Sequence, residues 1–265
     1  MIFYPPPKTQ TLGMERESTL AMLGVFSTRV AALEAQLRAH GVEVTDDFKA
    51  ESEEVYAAIH RPIRLLELFS GTGSVGKVAR EKGWDVVSLD IDPRADINVD
   101  IMEWDYRSFG VGFDVVWGSP PCTMYSIYQN VFSPKHLRDF GPSNALVMKT
   151  IEIITYFTPR YWFIENPQTG CLKDQPFMQT LPYHDVDYCM YGYGAKKSTR
   201  IWTNHADFEG KLCDKTCSGY GVNKNRPARI REGFPTKIGH PDLPATLEER
   251  HAIPPPLIRE LFAFA

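Results

Sequence analysis

The sequence lacks any long uninterrupted apolar run. None of its hydrophobic stretches approaches the ~20 residues that a membrane-spanning helix needs. The first residues, Met1 to Pro7, also lack the basic start and apolar core of a secretory signal peptide. We therefore expect a chain with neither a membrane anchor nor a secretory leader.

Cysteine is scarce and basic charge is not in excess. The five cysteines are odd in number and irregularly spaced, which argues against a secreted disulfide framework and for a reducing compartment. The 29 basic side chains are outnumbered by 33 acidic ones, for a net charge of −4. Any surface that binds nucleic acid must therefore be a locally basic patch. The cysteines are Cys122, Cys171, Cys189, Cys213 and Cys217.

Residues 1–60 have the pattern of a helical extension. Leucine, phenylalanine and valine recur at spacings of three and four between Leu20 and Leu37, with Ser18 as N-cap and Gly41 as the stop. A second helix is predicted from Thr45 onward. So short a stripe favours packing on the rest of the chain, and pairing with a second copy to form a homodimer is the alternative.

The pattern changes after Pro62. Ile63 to Phe69 is a predicted strand, and the glycines Gly71 and Gly73 then lead into a helix from Val75 to Lys82. A strand, a glycine turn and a helix open a nucleotide-binding βαβ unit. A lone Gly-x-Gly is weak evidence, because glycines serve many tight turns. The sequence nevertheless predicts an α/β fold with a doubly wound sheet from this point.

The next strand strengthens the nucleotide-binding interpretation. It ends in Asp90, roughly 20 residues after the glycines, where an acidic residue commonly binds ribose hydroxyls. Ile91 is predicted to pack on the adenine face, although an ordinary core isoleucine is an equal alternative. Asp100, after a short strand at Ile97, is predicted to accept a hydrogen bond from the adenine amine.

A cysteine follows the apolar strand Phe113 to Trp117. Pro120 and Pro121 cannot continue a strand ladder, so the chain must turn there. Cys122 is thus predicted on a rigid loop at the carboxyl end of a strand, where open α/β sheets bind ligands. A packed buried thiol is the ordinary alternative, but these surroundings favour a nucleophile.

A carboxylate follows another buried strand. After a helix from Ala145 to Phe157, the strand Tyr161 to Ile164 ends in Glu165 and Asn166. Parallel strands deliver their ends to one edge, so Glu165 is predicted to face the same cleft as Cys122. A glutamate that caps the next turn is the alternative. Strands near His184–Met190 and Thr199–Thr203 are predicted to complete the sheet.

In this order, the motifs resemble those of the cytosine-C5 DNA methyltransferases, in particular short members of phage or bacterial type. The resemblance runs from about residue 64 to the C-terminus. Leu68 to Gly73 resembles the cofactor loop, Cys122 with its prolines the nucleophile motif, and Glu165-Asn166 the base-binding motif. Arg200 fits the second arginine of the family's Gln-x-Arg-x-Arg motif, and Ile253 to Leu257 resembles the end of its closing motif.

Several positions depart from the family pattern. Thr123 replaces a glutamine, Pro167 a valine and His251 an asparagine. Lys196 and Ser198 stand where glutamine and the first arginine are usual, and no clear counterpart of the Arg/Thr/Glu motif is found.

The resemblance implies a class I S-adenosylmethionine-dependent methyltransferase fold, S-adenosylmethionine as cofactor and double-stranded DNA as partner. It implies no metal. It places the protein in the cytoplasm of a prokaryotic or phage-infected cell, or in the nucleus if the source is a eukaryotic virus. The residues expected at the cofactor are Phe69, Gly71, Gly73, Asp90, Ile91, Asp100 and Pro120.

The implied chemistry is covalent catalysis. Cys122 adds as a thiolate to cytosine C6, Glu165 binds N3 and the exocyclic amine, and Arg200 holds O2. A base in the duplex stack cannot reach such a pocket, so the target must flip out. The remaining residues expected at the substrate are Ser126, Asn166, Lys197, Arg226 and Arg229.

Three alternatives stay open. Ser119 to Pro121 also resembles the motif of amino methyltransferases, in which the exocyclic nitrogen of cytosine or adenine attacks directly. One branch of the resembled family methylates tRNA. A degenerate fold that only binds is the third alternative, and Cys122, Glu165 and Arg200 together argue against it.

The predicted organisation is an extension at 1–60, a catalytic domain at 61–204, a reduced recognition segment at 205–250 and a closing segment at 251–265. Nine basic and three acidic residues lie between Ala195 and Arg231, which suits a phosphate-binding face. Zinc ligation there by the four residues His205, Cys213, Cys217 and His240 is a weaker alternative than loops without metal.

Overall fold

The apolar runs of the sequence form one seven-stranded sheet with the order β3-β2-β1-β4-β5-β7-β6. Strands β1 to β5 pair in parallel, and β7 runs antiparallel to both of its neighbours. The predicted doubly wound, mostly parallel sheet is confirmed. The strands are β1 Arg64–Leu68, β2 Asp85–Asp90, β3 Ile97–Asn98, β4 Val115–Gly118, β5 Tyr161–Pro167, β6 Tyr183–Asp187 and β7 Ser198–Thr203.

Helices cover both faces of the sheet. The face carrying Leu66 and Leu68 packs on helix α2 through Val147 and Ile153. The opposite face carries Glu67, whose carboxylate contacts the start of helix α1. Helix α4 packs beside α1. The helices are α1 Ser74–Glu81, α2 Gly141–Phe157, α3 Leu247–His251 and α4 Pro255–Leu261.

The computed structural model describes residues 61–110, 112–194, 196–215 and 246–264. The predicted extension, most of the predicted recognition segment, and the residues Cys217, Arg226, Arg229 and His240 lie outside this part. Ile63–Leu261 forms one compact unit, which contains the sheet. Within the described ranges, no helix is both long enough and apolar enough to cross a bilayer.

The strand register brings several chain ends to one edge of the sheet. Leu68 on β1 pairs with Leu89 on β2 and with Gly118 on β4, and Gly118 pairs with Ile164 on β5. The residues that immediately follow these four are Phe69, Asp90, Ser119 and Glu165. The predicted cofactor loop, nucleophile loop and carboxylate therefore leave the sheet together.

Candidate active site

A cavity of about 660 Å³ lies at this edge of the sheet. Its volume falls in the range of pockets that bury a small organic ligand. Both predicted halves of the site contribute to its wall. The lining includes Phe69, Gly71, Asp90, Ile91, Asp100, Pro120, Cys122, Ser126, Glu165, Asn166 and Lys197.

The loop after β1 has an unusual backbone. Phe69 has a φ of 57°, and Gly71 and Gly73 have φ values of 49° and 66°. A left-handed conformation costs a non-glycine residue about 1–2 kcal/mol, so the surrounding structure must hold Phe69 in place. Backbone strain of this kind concentrates at ligand sites. Here it lies where the sequence predicts the cofactor loop.

Asp90 supports the same loop from the neighbouring strand. Its carboxylate accepts a hydrogen bond from the backbone N–H of Gly71 (2.8 Å) and another from that of Asp92 (2.9 Å). Each carboxylate oxygen has two lone pairs, so both can still accept from ribose hydroxyls.

The cavity fits the adenosyl part of S-adenosylmethionine. Ile91 is 75% exposed in the cavity wall, so it offers an open apolar surface to a ring. Asp100 also lines the cavity and can accept from an exocyclic amine. Six of the seven residues predicted for the cofactor line the cavity, and the structure does not place the seventh, Gly73, in its lining.

Glu67 is buried between the sheet and helix α1. Its carboxylate accepts from the backbone N–H groups of Val75 (3.3 Å) and Gly76 (2.9 Å), so it satisfies donors at the start of the helix. Burial raises the pKa of Glu67 to about 7, despite these hydrogen bonds. This residue lines the cavity and was not predicted as part of the site.

The raised pKa of Glu67 predicts a pH-dependent stability. Between pH 4.5 and about 7 the folded state keeps a proton that the unfolded state has lost, so stability falls as pH rises. Across this pH range the free energy of unfolding falls by about 3 kcal/mol. Wild type and Glu67→Gln should be unfolded with urea across this pH range. As the pH rises, the unfolding free energy of Glu67→Gln should increase by this amount relative to that of wild type. A difference that stays constant with pH would contradict the assignment.

The nucleophile loop is anchored to the carboxylate strand. Ser119 Oγ accepts from Trp117 Nε1 (2.9 Å), and Asn166 Nδ2 donates to the carbonyl of Pro120 (2.9 Å) in the buried interior. Cys122 then begins a short 3₁₀ turn and is partly exposed in the cavity wall. Glu165 therefore faces the cavity, while the neighbouring Asn166 supports the nucleophile loop.

Arg138 holds the chain that follows Cys122. Its guanidinium is almost fully buried and donates to the backbone carbonyls of Met124 (2.9 Å), Ser126 (3.0 Å) and Ser133 (3.0 Å). One guanidinium thus donates to three backbone carbonyls. The loop beside the thiol is thus cross-linked by hydrogen bonds.

Glu165 is 9% exposed, and its Oε1 accepts a hydrogen bond from the hydroxyl of Tyr188 (2.9 Å). Tyr188 is fully buried. Burial, reinforced by the charge of Glu165, raises the pKa of Tyr188 well above its ordinary value, so its hydroxyl remains a donor. The ammonium of Lys197 lies 4.9 Å from the Tyr188 ring centre and also lines the cavity.

The structure does not bring Arg200 to the cavity. Its guanidinium makes a two-pronged ion pair with Asp185 on β6, at 2.7 and 2.8 Å, and lies 3.5 Å from the ring centre of Tyr183. Asp185 is the register partner of Arg200. Lys197, and not Arg200, contributes a positive side chain to the cavity.

Three supporting residues were missed by the sequence analysis. Glu67 interrupts an apolar strand, and a charge there was a usable signal of a buried cap or site. Arg138 lies 12 residues from Ser126 and Tyr188 lies 23 residues from Glu165, both in stretches without a motif.

No family model matches the chain. A protein of Frog virus 3 (isolate Goorha), described as "Probable DNA (cytosine-5)-methyltransferase", is 35% identical over 213 residues, which cover 75% of this chain and 98% of the viral protein. Among solved structures, the methyltransferase EhMeth of Entamoeba histolytica matches with a TM-score of 0.45 and 15% identity, over 58% of this chain and 56% of that one. The Dnmt2 methyltransferase of S. pombe matches with a TM-score of 0.38 and 16% identity, over 57% and 52%.

The match covers nearly the whole of the viral protein, so it is not confined to a single motif. The chain therefore belongs to the DNA (cytosine-5)-methyltransferase family.

Proposed function

We propose that this protein transfers a methyl group from S-adenosylmethionine to C5 of cytosine in double-stranded DNA, through a covalent adduct with Cys122. The observation that carries the proposal is the common cavity. Cys122, Glu165 and the strained cofactor loop at Phe69 and Gly71 line the same space at one edge of the sheet. An amino methyltransferase needs no thiol there.

Cys122 supplies the nucleophile. Its thiolate adds to C6 of the flipped cytosine, the C6–S bond forms, and the ring electrons shift to give an enamine-like ring with a nucleophilic C5. After C5 has been methylated, a base removes the C5 proton, and the C6–S bond breaks to return the thiolate. Lys197 lines the same cavity as Cys122.

Glu165 handles the opposite edge of the ring. Its carboxyl group binds N3 and the exocyclic amine, so that negative charge arising at N3 during thiolate addition is met by a proton. Asn166 keeps the nucleophile loop in position through Pro120, and Ser126 lies in the wall beside the base. Contact between Arg200 and O2 of the base would require that Arg200 leave Asp185.

S-adenosylmethionine, when bound, supplies an electrophilic methyl group. The chain's part would be to hold it: Phe69 and Gly71 in the loop after β1 would accommodate the amino acid portion, Asp90 would bind the ribose, and Ile91 with Asp100 would contact the adenine. Pro120 lines the same cavity as Cys122.

Asp90→Ala should weaken S-adenosylmethionine binding roughly 10- to 150-fold for each of the one or two hydrogen bonds lost, since a hydrogen bond to a charged group contributes about 1.5–3 kcal/mol. Titration calorimetry measures this directly. Asp96→Ala is the matched control, since Asp96 is a carboxylate near the same strand that binds Ser88 and Arg80 outside the cavity. Equal affinity in wild type and Asp90→Ala would mean that the ribose site is misplaced.

Recognition of the target is proposed for residues 205–250, where Arg226 and Arg229 would bind phosphates. We propose that residues 1–60 form the extension and mediate any homodimer, and that 61–204 and 251–265 form the catalytic body. A DNA substrate places the enzyme in the cytoplasm of a prokaryotic or phage-infected cell, or in the nucleus for a eukaryotic virus.

The function is tested with purified protein, methyl-deuterated S-adenosylmethionine and either random-sequence duplex DNA or total tRNA. After digestion to nucleosides, mass spectrometry should find the label in 5-methyl-2′-deoxycytidine. Label in N4-methylcytosine or N6-methyladenine would overturn the C5 assignment. Label confined to the tRNA would overturn the DNA assignment.

A further inference from the structure

The carboxyl group of Glu165 is held on one side by a tyrosine that does not itself line the cavity. Tyr188 donates to Oε1 of Glu165 at 2.9 Å, and both side chains are buried. Within the described part of the chain, this contact leaves Oε2 of Glu165 for the base. The orientation of the Glu165 carboxyl group thus depends on the hydroxyl of Tyr188, which lies outside strand β5.

Local structure fixes the tyrosine in turn. Strand β6 ends at Asp187, and Tyr188 begins a 3₁₀ turn that extends to Tyr191. The backbone N–H of Tyr188 donates to the carbonyl of Lys197 (3.0 Å), whose ammonium lies over the tyrosine ring. Tyr193 packs edge-on against the same ring, with centroids 5.8 Å apart.

We propose that Tyr188 is a positioning residue for methyl transfer, which sets the orientation of Glu165 so that Oε2 meets the target cytosine. This inference rests on the proposed function. Tyr188 acts through Glu165 and touches neither substrate nor cofactor. By packing under Lys197, the same ring also fixes where the cavity's ammonium lies.

The physical argument is one of preorganisation. A glutamate side chain with no fixed partner has several rotamers, and only some place an oxygen at N3 and the exocyclic amine. A donor at Oε1 selects one orientation before the base arrives, so no reorganisation is needed during the reaction. Burial keeps the Tyr188 hydroxyl protonated, so this donor is present throughout the working pH range.

Tyr188→Phe removes one oxygen atom and keeps the ring that packs under Lys197. We expect kcat to fall about 10- to 100-fold, as for the loss of one hydrogen bond to a charged group, while KM for S-adenosylmethionine changes less than about twofold. Tyr106→Phe is the matched control. Tyr106 is a buried tyrosine that donates to Glu152, and neither residue lines the cavity. Loss of the Tyr106 hydroxyl should leave kcat unchanged.

A second measurement asks whether Tyr188 acts through Glu165. Covalent trapping by DNA that contains 5-fluorocytosine can be measured over hours, so it reports slow adduct formation. In a Glu165→Ala background no carboxyl group is left to position, so adding Tyr188→Phe should change the trapping rate less than about threefold. A loss as large as in the wild-type background would overturn the proposal. Should Tyr188→Phe alone be too unstable to purify, the comparison is made between Glu165→Ala and the Glu165→Ala/Tyr188→Phe double variant: equal trapping rates support the proposal, and a lower rate in the double variant overturns it.

The two levels of inference fail in different ways. If wild-type protein makes no 5-methylcytosine, the proposed function fails. If wild type is active and Tyr188→Phe matches it in kcat, the function stands and the role of Tyr188 is wrong.

Discussion

Cys122→Ala is expected to abolish methyl transfer, with activity below roughly 10⁻³ of wild type. Without a thiolate at C6, cytosine C5 is too weak a nucleophile to attack the cofactor's methyl group. S-adenosylmethionine affinity should stay close to that of wild type, because the cofactor is held by the Gly71 loop and Asp90 on neighbouring strands. Calorimetry and a tritiated methyl-transfer assay give the two values.

Cys213→Ala is the control for this experiment. Cys213 is a partly exposed cysteine like Cys122, but it does not line the cavity. The control variant should therefore keep full activity. Substantial methylation of cytosine C5 by Cys122→Ala would rule out the covalent route, and loss of cofactor binding would place Cys122 in the cofactor site.

Glu165→Gln should lower kcat about 10²- to 10⁴-fold, the usual worth of a positioned acid or base. Glutamine can still accept the hydrogen bond from Tyr188 through its amide oxygen. Its amide nitrogen then faces the base, where it can neither give a proton to N3 nor accept from the exocyclic amine. Adduct formation with DNA containing 5-fluorocytosine should slow by a similar factor, since Glu165 assists the addition step.

Glu152→Gln provides the matched comparison. Glu152 also accepts from a buried tyrosine, Tyr106, but lies on helix α2 away from the cavity. This variant should retain wild-type kinetics. If Glu165→Gln were as active as Glu152→Gln, the proton would have to come from another group.

The sheet edge could be predicted because it depends on local patterns. Short apolar runs predict parallel strands, and prolines or glycines end them, so Asp90, Cys122 and Glu165 had to emerge together. Equal registers at Leu68, Gly118 and Ile164 then bring these ends level. The first of these steps needs no knowledge of distant contacts.

The supporting contacts could not be predicted, because they depend on pairing between distant segments. Arg200 fits a motif, yet its direction is set by Asp185 on β6, which the register of β6 with β7 places opposite it. The hydroxyl of Tyr188 reaches Glu165 only because a 3₁₀ turn follows β6 directly. Such details follow from tertiary packing and not from spacing.

The central claim is tested most directly by covalent capture. Purified protein is incubated with S-adenosylmethionine and a random-sequence duplex carrying 5-fluorocytosine in place of cytosine, and the products are separated under denaturing conditions. The fluorine blocks removal of a proton from C5, so the methylated adduct cannot resolve. We predict a stable protein–DNA complex whose cross-linked peptide contains Cys122, and none with Cys122→Ala. Methylated DNA without any covalent complex would contradict the account.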